Sequence, residues 1–256
     1  MDVLRDDALV AKSFEYIRTK PKFFTGNDVQ NLKSFLRNSA SWVRKVANFP
    51  PKSAREIYNR YVGEEKLVCL DTSMGFGSRL SGAILSGHSY IGFDPNKKLF
   101  DKLVEYSSFL EDHGFIKGKI TMYNCGSETF CKDLVGVADV SFTSPPYFNL
   151  EKYSDDGCAS TENYGDYDAW VEYFVIPTVK NTVKYLKTGG YAMINIKNLS
   201  KRQPCYDSFY QAFVDCGMTH HETFDLNISK KQYGMANENQ KGVIVPKEPI
   251  MCFRKE

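Results

Sequence analysis

Residues 67–95 open Leu67-Val-Cys-Leu-Asp71-Thr-Ser-Met-Gly75-Phe-Gly77 and close Tyr90-Ile-Gly-Phe-Asp94-Pro95, with a helical pattern between. The order is apolar strand, glycine turn, helix, strand, acidic residue. Glycines at a strand-to-helix turn let the backbone approach a ligand closely. Asp94 falls 23 residues after Asp71, at the end of the second strand, where a carboxylate can hold ribose hydroxyls. The stretch predicts an α/β fold with a nucleoside-containing ligand at its first turn. Asp71, Thr72, Ser73, Gly75, Gly77 and Asp94 are the residues expected around that ligand. A nicotinamide dinucleotide would call for a third glycine at the G-x-G-x-x-G offset, and Gly75-Phe-Gly77 lacks it.

Working outward, strands are expected at about 67–71, 89–93, 119–123, 138–143, 190–196, 219–227 and 249–254. Helical patterns separate most of them, so the sheet should be mostly parallel. A long polar loop and no helix joins the last two, which can therefore pair antiparallel. Residues 168–187 read as one helix kinked at Pro177, stopped by Thr188-Gly-Gly190. Upstream, residues about 8–18 and 27–48 have helical periodicity, Pro50-Pro51 interrupts it, and a short helix is expected over Ser53–Val62. The chain thus divides into a helical N-terminal extension, 1–63, and a sheet domain, 64–256.

The 256 residues are 42% hydrophobic and 14% aromatic, enough for a sizeable core. Net charge is only +2, but residues 1–63 hold 12 Lys/Arg against 6 Asp/Glu and the remainder 21 against 25. That asymmetry suits a polyanion-binding arm. Seven cysteines with no C-x-x-C pair argue against zinc and a disulfide framework, and for a reduced, cytoplasmic setting. His88, His113, His220 and His221 have no ligand spacing to one another, so no metal is expected. The first residues lack the basic-then-apolar order of a signal peptide, and no apolar run approaches membrane-spanning length.

A second stretch carries the chemistry. Ala138-Asp-Val-Ser-Phe-Thr143 reads as a strand and runs directly into Ser144-Pro145-Pro146-Tyr147. Two prolines fix two φ angles and remove two N–H donors, so the chain leaves the strand stiffly. Ser144 Oγ and the Ser144 or Pro145 carbonyl offer acceptors for N–H groups, and Tyr147 offers a stacking face. Together they can hold a planar group bearing an amine.

This run resembles the motif of the DNA amino-methyltransferases, which place Asp, Asn or Ser before Pro-Pro and an aromatic. The resemblance covers about residues 50–256. It implies a Rossmann-like class I methyltransferase sheet of seven strands, with the last antiparallel, and S-adenosylmethionine as cofactor. It also implies a flipped adenine or cytosine whose exocyclic nitrogen sits at Ser144–Tyr147. Acceptors on both N–H groups free the nitrogen lone pair for direct attack on the methyl group, with no covalent intermediate. The family commonly reads Asp-Pro-Phe-x-Gly-x-Gly at the first turn, whereas Thr72 and Ser73 stand here for the Pro and the Phe. Cys125-Gly-Ser127-Glu128 lies where the family contacts the cofactor's adenine, through Ser127 or Glu128. Pro204-Cys205 looks like the nucleophile of cytosine-C5 enzymes, but it follows the fifth expected strand rather than the fourth. The cofactor turn precedes the amine motif, the reverse of the order common in this motif class.

No separate target-recognition domain is visible. Phosphate contacts are expected from Arg44 and Lys45, and from Lys230, Lys231 and Lys241 in the basic 228–248 loop. The 148–167 loop is acidic and Tyr-rich. DNA is the expected partner, with a protein partner or homo-oligomer as a further source of specificity. Alternatives left open are methylation of an RNA base or a protein glutamine, and a non-catalytic subunit of the same fold that binds a partner or nucleic acid.

Overall fold

A computed structural model describes residues 49–61, 65–148, 164–200, 202–227 and 247–256. Among them seven strands form one sheet: β1 Val68–Asp71, β2 Ser89–Phe93, β3 Ile120–Tyr123, β4 Ala138–Thr143, β5 Leu186–Asn195, β6 Met218–Asn227 and β7 Lys247–Lys255. The order is β3-β2-β1-β4-β5-β7-β6. Pairing is parallel from β3 to β5, and β7 runs antiparallel to both β5 and β6. Apart from the start of β5, the expected strand positions and the antiparallel last strand are borne out.

Alternation along the strands divides the core into two layers. Cys69, Tyr90, Val140, Phe142 and Met193 face one side, beneath α1 Pro51–Tyr58, α2 Ser78–Leu85 and α3 Lys97–Asp112. Leu70, Ile91, Phe93, Ala192 and Ile194 face the other, beneath α4 Tyr167–Trp170, α5 Ile176–Tyr185 and α6 Cys205–Asp215. Strand order reverses between β1 and β4, so a crevice opens at their C-terminal ends.

Three local expectations change. The short helix begins at Pro51, whose fixed φ suits a first helical position, and ends at Tyr58. It lies close against α2 because Gly82 has no side chain: a Cβ there would come within 2.6 Å of the Ala54 Cβ and 2.9 Å of the Pro51 carbonyl. The helix expected over 168–187 is broken by a π-turn, Val171–Val175, between α4 and α5. Pro177 has no N–H for the Tyr173 carbonyl, and the wider turn just before it absorbs the mismatch. Finally, β5 starts at Leu186, so Thr188-Gly-Gly190 belongs to the strand. A register shift between Ala138 and Val140 accommodates the added length, and Lys187 Nζ bonds Asp139 there at 2.6 Å. The two helical stretches expected before residue 48 lie outside the described residues.

His88 joins β2 to the end of α1. Its Nδ1 accepts the Leu67 N–H (3.3 Å) and its Nε2 lies 2.8 Å from Asn59 Oδ1, which fits a neutral ring protonated at Nε2. Burial holds the imidazole below its ordinary pKa, against the opposing pull of Asp139. A depressed histidine contributes stability that is present above about pH 6.5 and lost as pH falls through its lowered folded value. His88→Gln should therefore cost about 1 kcal/mol at pH 8, with the gap from the parent protein closing below pH 6. Denaturant unfolding across pH checks this, and a constant gap would remove His88 as the titrating group.

Candidate active site

The turn after β1 is held from two sides. Met74 N–H donates to the Phe93 carbonyl at 2.9 Å, folding the turn across onto β2. Gly75 N–H donates to Asp94 Oδ2 at 3.0 Å, and Asn96 N–H to Oδ1 at 2.9 Å. Gly75 and Gly77 have φ of 50° and 77°, and Gly77 also caps α2. A Cβ on Gly77 would fall 2.5 Å from Leu103 Cδ2, so both backbone angle and space demand glycine there. Asp94 is 9% exposed. Burial pushes its carboxyl up, while the Asn96 and Gly75 N–H groups pull it down. Each oxygen takes one backbone donor and keeps acceptor capacity for another.

Asp71 is engaged inside the protein. Its Oδ2 accepts Arg79 Nε–H at 2.8 Å and the Tyr90 hydroxyl at 2.7 Å, and its Oδ1 accepts Ser73 N–H at 3.2 Å. Thr72 is different. Its hydroxyl and that of Thr143 are buried, at 4% and 5% residue exposure, and neither has a hydrogen-bond partner among the described residues. Leu70 pairs with Ser141, and Thr72 and Thr143 each lie two residues further along, past β1 and at the end of β4.

After β3, a turn closes with Thr129 N–H on the Gly126 carbonyl (3.1 Å). Asn181 of α5 pins it by donating to the carbonyls of Ser127 (2.9 Å) and Glu128 (3.0 Å). Ser127 Oγ is buried and bonded to Thr178 Oγ1 at 3.0 Å. Glu128 Oε1 lies 3.5 Å from the Tyr164 hydroxyl, and Oε2 is buried without a partner among the described residues. The Ser127 hydroxyl is thus shared with Thr178, whereas one Glu128 oxygen is unpaired among the described residues. Asn124 Nδ2 donates to the Asp94 carbonyl at 3.0 Å and ties this turn to the end of β2.

Ser144–Tyr147 leaves β4 one strand away from the glycine turn. Ser144 is half-buried, and no hydrogen bond of its hydroxyl occurs among the described residues. Pro145 is buried and Pro146 half-buried. The Tyr147 hydroxyl accepts the Lys197 N–H at 3.1 Å, which ties the ring to the end of β5. Phe148 is buried and turns its edge toward Trp170 and Tyr167.

Cys205, at the start of α6, is fully buried, and burial raises its thiol pKa. A protonated core thiol is no nucleophile. Among the described residues no cluster of metal-ligating side chains comes together, and no helix is long and apolar enough to cross a membrane. Arg44, Lys45, Lys230, Lys231 and Lys241 lie outside the described residues. Sequence reasoning missed Arg79 and Asn181. Their partners lie across a turn and 54 residues away, and no spacing rule marks either.

No family model matches the sequence, and no curated protein matches it. Solved structures match its fold. The [4+2]-cyclase SpnF aligns at TM-score 0.54 and 10% identity, over 83% of this chain and 85% of its own. The Burkholderia thailandensis 1,6-didemethyltoxoflavin-N1-methyltransferase, solved with 1,6-didemethyltoxoflavin and S-adenosylhomocysteine, aligns at 0.51 and 12%, over 88% and 84%. A Thermotoga maritima S-adenosylmethionine-dependent O-methyltransferase aligns at 0.51 and 14%, over 86% and 71%. The architecture is therefore the Rossmann-like class I methyltransferase fold. One of these three is a cyclase, so the reaction has to be argued from the site.

Proposed function

We propose that the chain transfers a methyl group from S-adenosylmethionine to the exocyclic amine of a DNA base, cytosine N4 or adenine N6, by direct in-line attack. One observation carries this reading. The Asp94-anchored glycine turn and the Ser144-Pro-Pro-Tyr147 exit open at the C-terminal ends of adjacent strands, β1 and β4, with the Ser144 hydroxyl unengaged among the described residues.

The residues present fit the cofactor. Glu128 Oε2 is a buried acceptor without a donor among the described residues, suited to the adenine amine. Asp94 keeps acceptor capacity for ribose hydroxyls, and the Thr72 and Thr143 hydroxyls suit the charged amino-acid end. When bound, S-adenosylmethionine supplies an electrophilic methyl group on its sulfonium. Ser144 Oγ and the Pro145 carbonyl accept the two N–H groups of the amine and draw its lone pair out of the ring. Tyr147, held by Lys197 N–H, supplies a fixed stacking face. Flipping the base out of a duplex costs a few kcal/mol, which stacking on Tyr147 partly offsets.

Incubation with isotopically labelled methyl donor, followed by nucleoside mass spectrometry of DNA and RNA, tests the reading. N4-methylcytosine or N6-methyladenine in DNA supports it. Label in RNA or protein alone would replace the acceptor, and label in none of them would remove the reaction.

Arg44, Lys45, Lys230, Lys231 and Lys241 are proposed to neutralise backbone phosphates, on the strength of the basic sequence around them. Replacing Arg44 and Lys45 by Gln should lower the salt slope of DNA affinity by about 0.9 for each phosphate that is no longer neutralised. An unchanged slope in a titration against salt would remove both residues from the interface.

A further inference from the structure

We infer that Arg79 is a positioning residue for the cofactor turn, acting through Asp71 and the Ser73 carbonyl. The inference rests on the cofactor reading above but not on the identity of the methyl acceptor.

Arg79 lies at the second position of α2 and is 7% exposed. Its Nε donates to Asp71 Oδ2 at 2.8 Å, and its Nη2 donates to the Ser73 carbonyl. Asp71 Oδ1 accepts the Ser73 N–H at 3.2 Å. Ser73 is thus gripped at both its N–H and its C=O by one ion pair. Two residues further on, Gly75 N–H holds Asp94 Oδ2. Arg79, Asp71, Ser73, Gly75 and Asp94 form a continuous chain from the first turn of α2 to the carboxylate expected on the ribose.

The guanidinium fork suits this task. Its donors lie in one rigid plane, so an acceptor on Asp71 and another on Ser73 fix each other's positions. An ammonium is a single point and cannot reproduce that geometry. The Tyr90 hydroxyl, at 2.7 Å from Asp71 Oδ2, adds a third donor and fixes the carboxylate in its own plane. Asp71, Arg79 and Tyr90 are buried, at 0%, 7% and 0% exposure. Their effect on the ligand passes through the backbone of residues 73–75, where a displacement of about 1 Å is enough to spoil a binding geometry.

A structural role and a positioning role predict different outcomes once stability is separated from affinity. Removing one partner of a buried ion pair leaves an uncompensated charge, so single variants lose stability under either role. Removing the whole polar set at once does not leave such a charge. The triple variant Asp71→Leu/Arg79→Met/Tyr90→Phe should keep a melting temperature near that of the parent, yet bind S-adenosylhomocysteine at least ten-fold more weakly by calorimetry. Arg79→Lys keeps the charge but offers no fork, and it should also weaken binding at least ten-fold while staying folded. Parent-like affinity in either folded variant would overturn the positioning role and leave the cofactor reading standing. No binding of S-adenosylhomocysteine by the parent protein would overturn the cofactor reading, and this inference with it.

Discussion

Asp94→Ala is expected to weaken S-adenosylhomocysteine binding about a hundred-fold or more. The carboxylate has burial and a fixed orientation, both set by backbone donors from Gly75 and Asn96. Each charge-assisted hydrogen bond it makes to a ribose hydroxyl contributes about 1.5–3 kcal/mol, and two such bonds reach about two decades in affinity even at the low end. Truncation also frees the Gly75 N–H and loosens the turn. Asp94→Asn separates these effects, because an amide oxygen can still accept one bond but carries no charge. Its affinity should fall between those of the parent and Asp94→Ala. Calorimetric titration of the three proteins decides the matter, and equal affinities would remove Asp94 from the cofactor site.

Ser144→Ala and Tyr147→Ala should strike the transfer itself. The serine acceptor matters most as the amine rehybridises, so Ser144→Ala should slow single-turnover methyl transfer about ten- to a hundred-fold, with cofactor affinity unchanged. Tyr147→Ala loses base stacking, about 1–3 kcal/mol, and removes the hydroxyl that accepts the Lys197 N–H. Tyr147→Phe keeps the ring and removes only that tether, so its loss should be the smaller. Cys205→Ala serves as the control. It removes a buried thiol and lowers the melting temperature, but it should transfer methyl groups at the parent rate. Full activity in the Ser144 and Tyr147 variants, with loss in Cys205→Ala, would exchange amine methylation for carbon methylation.

The sheet was legible in the sequence because strand burial leaves a local mark. Runs such as Val68–Asp71 and Ala138–Thr143 are mostly apolar or β-branched, with glycine or proline within a few residues of their ends. The glycine turn was legible for the same local reason, since Gly77 answers to its own backbone angle and to Leu103. The start of β5 is hidden in the sequence because Gly189-Gly190 is a turn signal, and in the sheet residues 187–190 bulge from β5 opposite the single residue Asp139. Site roles were harder wherever a partner is remote. Ser127 and Glu128 are equivalent candidates in sequence, and nothing local announces that Thr178, more than fifty residues on, engages the Ser127 hydroxyl while Asn181 pins the carbonyls of both. The sequence places Asp71 at the ligand turn, and nothing local in it announces that Arg79 folds back onto that carboxylate.

The placement of β7 has a consequence for how the chain is made. It follows β6 in sequence but lies between β5 and β6 in space, and Arg254 pairs with Tyr191 about sixty residues upstream. In the described sheet β6 pairs only with β7. Until residues 247–255 emerge, β5 is an open rim and β6 has no strand of the described sheet to pair with. Such long-range closure is slow, and an unpaired rim is a template for strands of another molecule. The interval between synthesis of β5 and arrival of β7 is the period when a nascent chain is most exposed to misassembly, and a chaperone that shields a bare strand would have its greatest effect there.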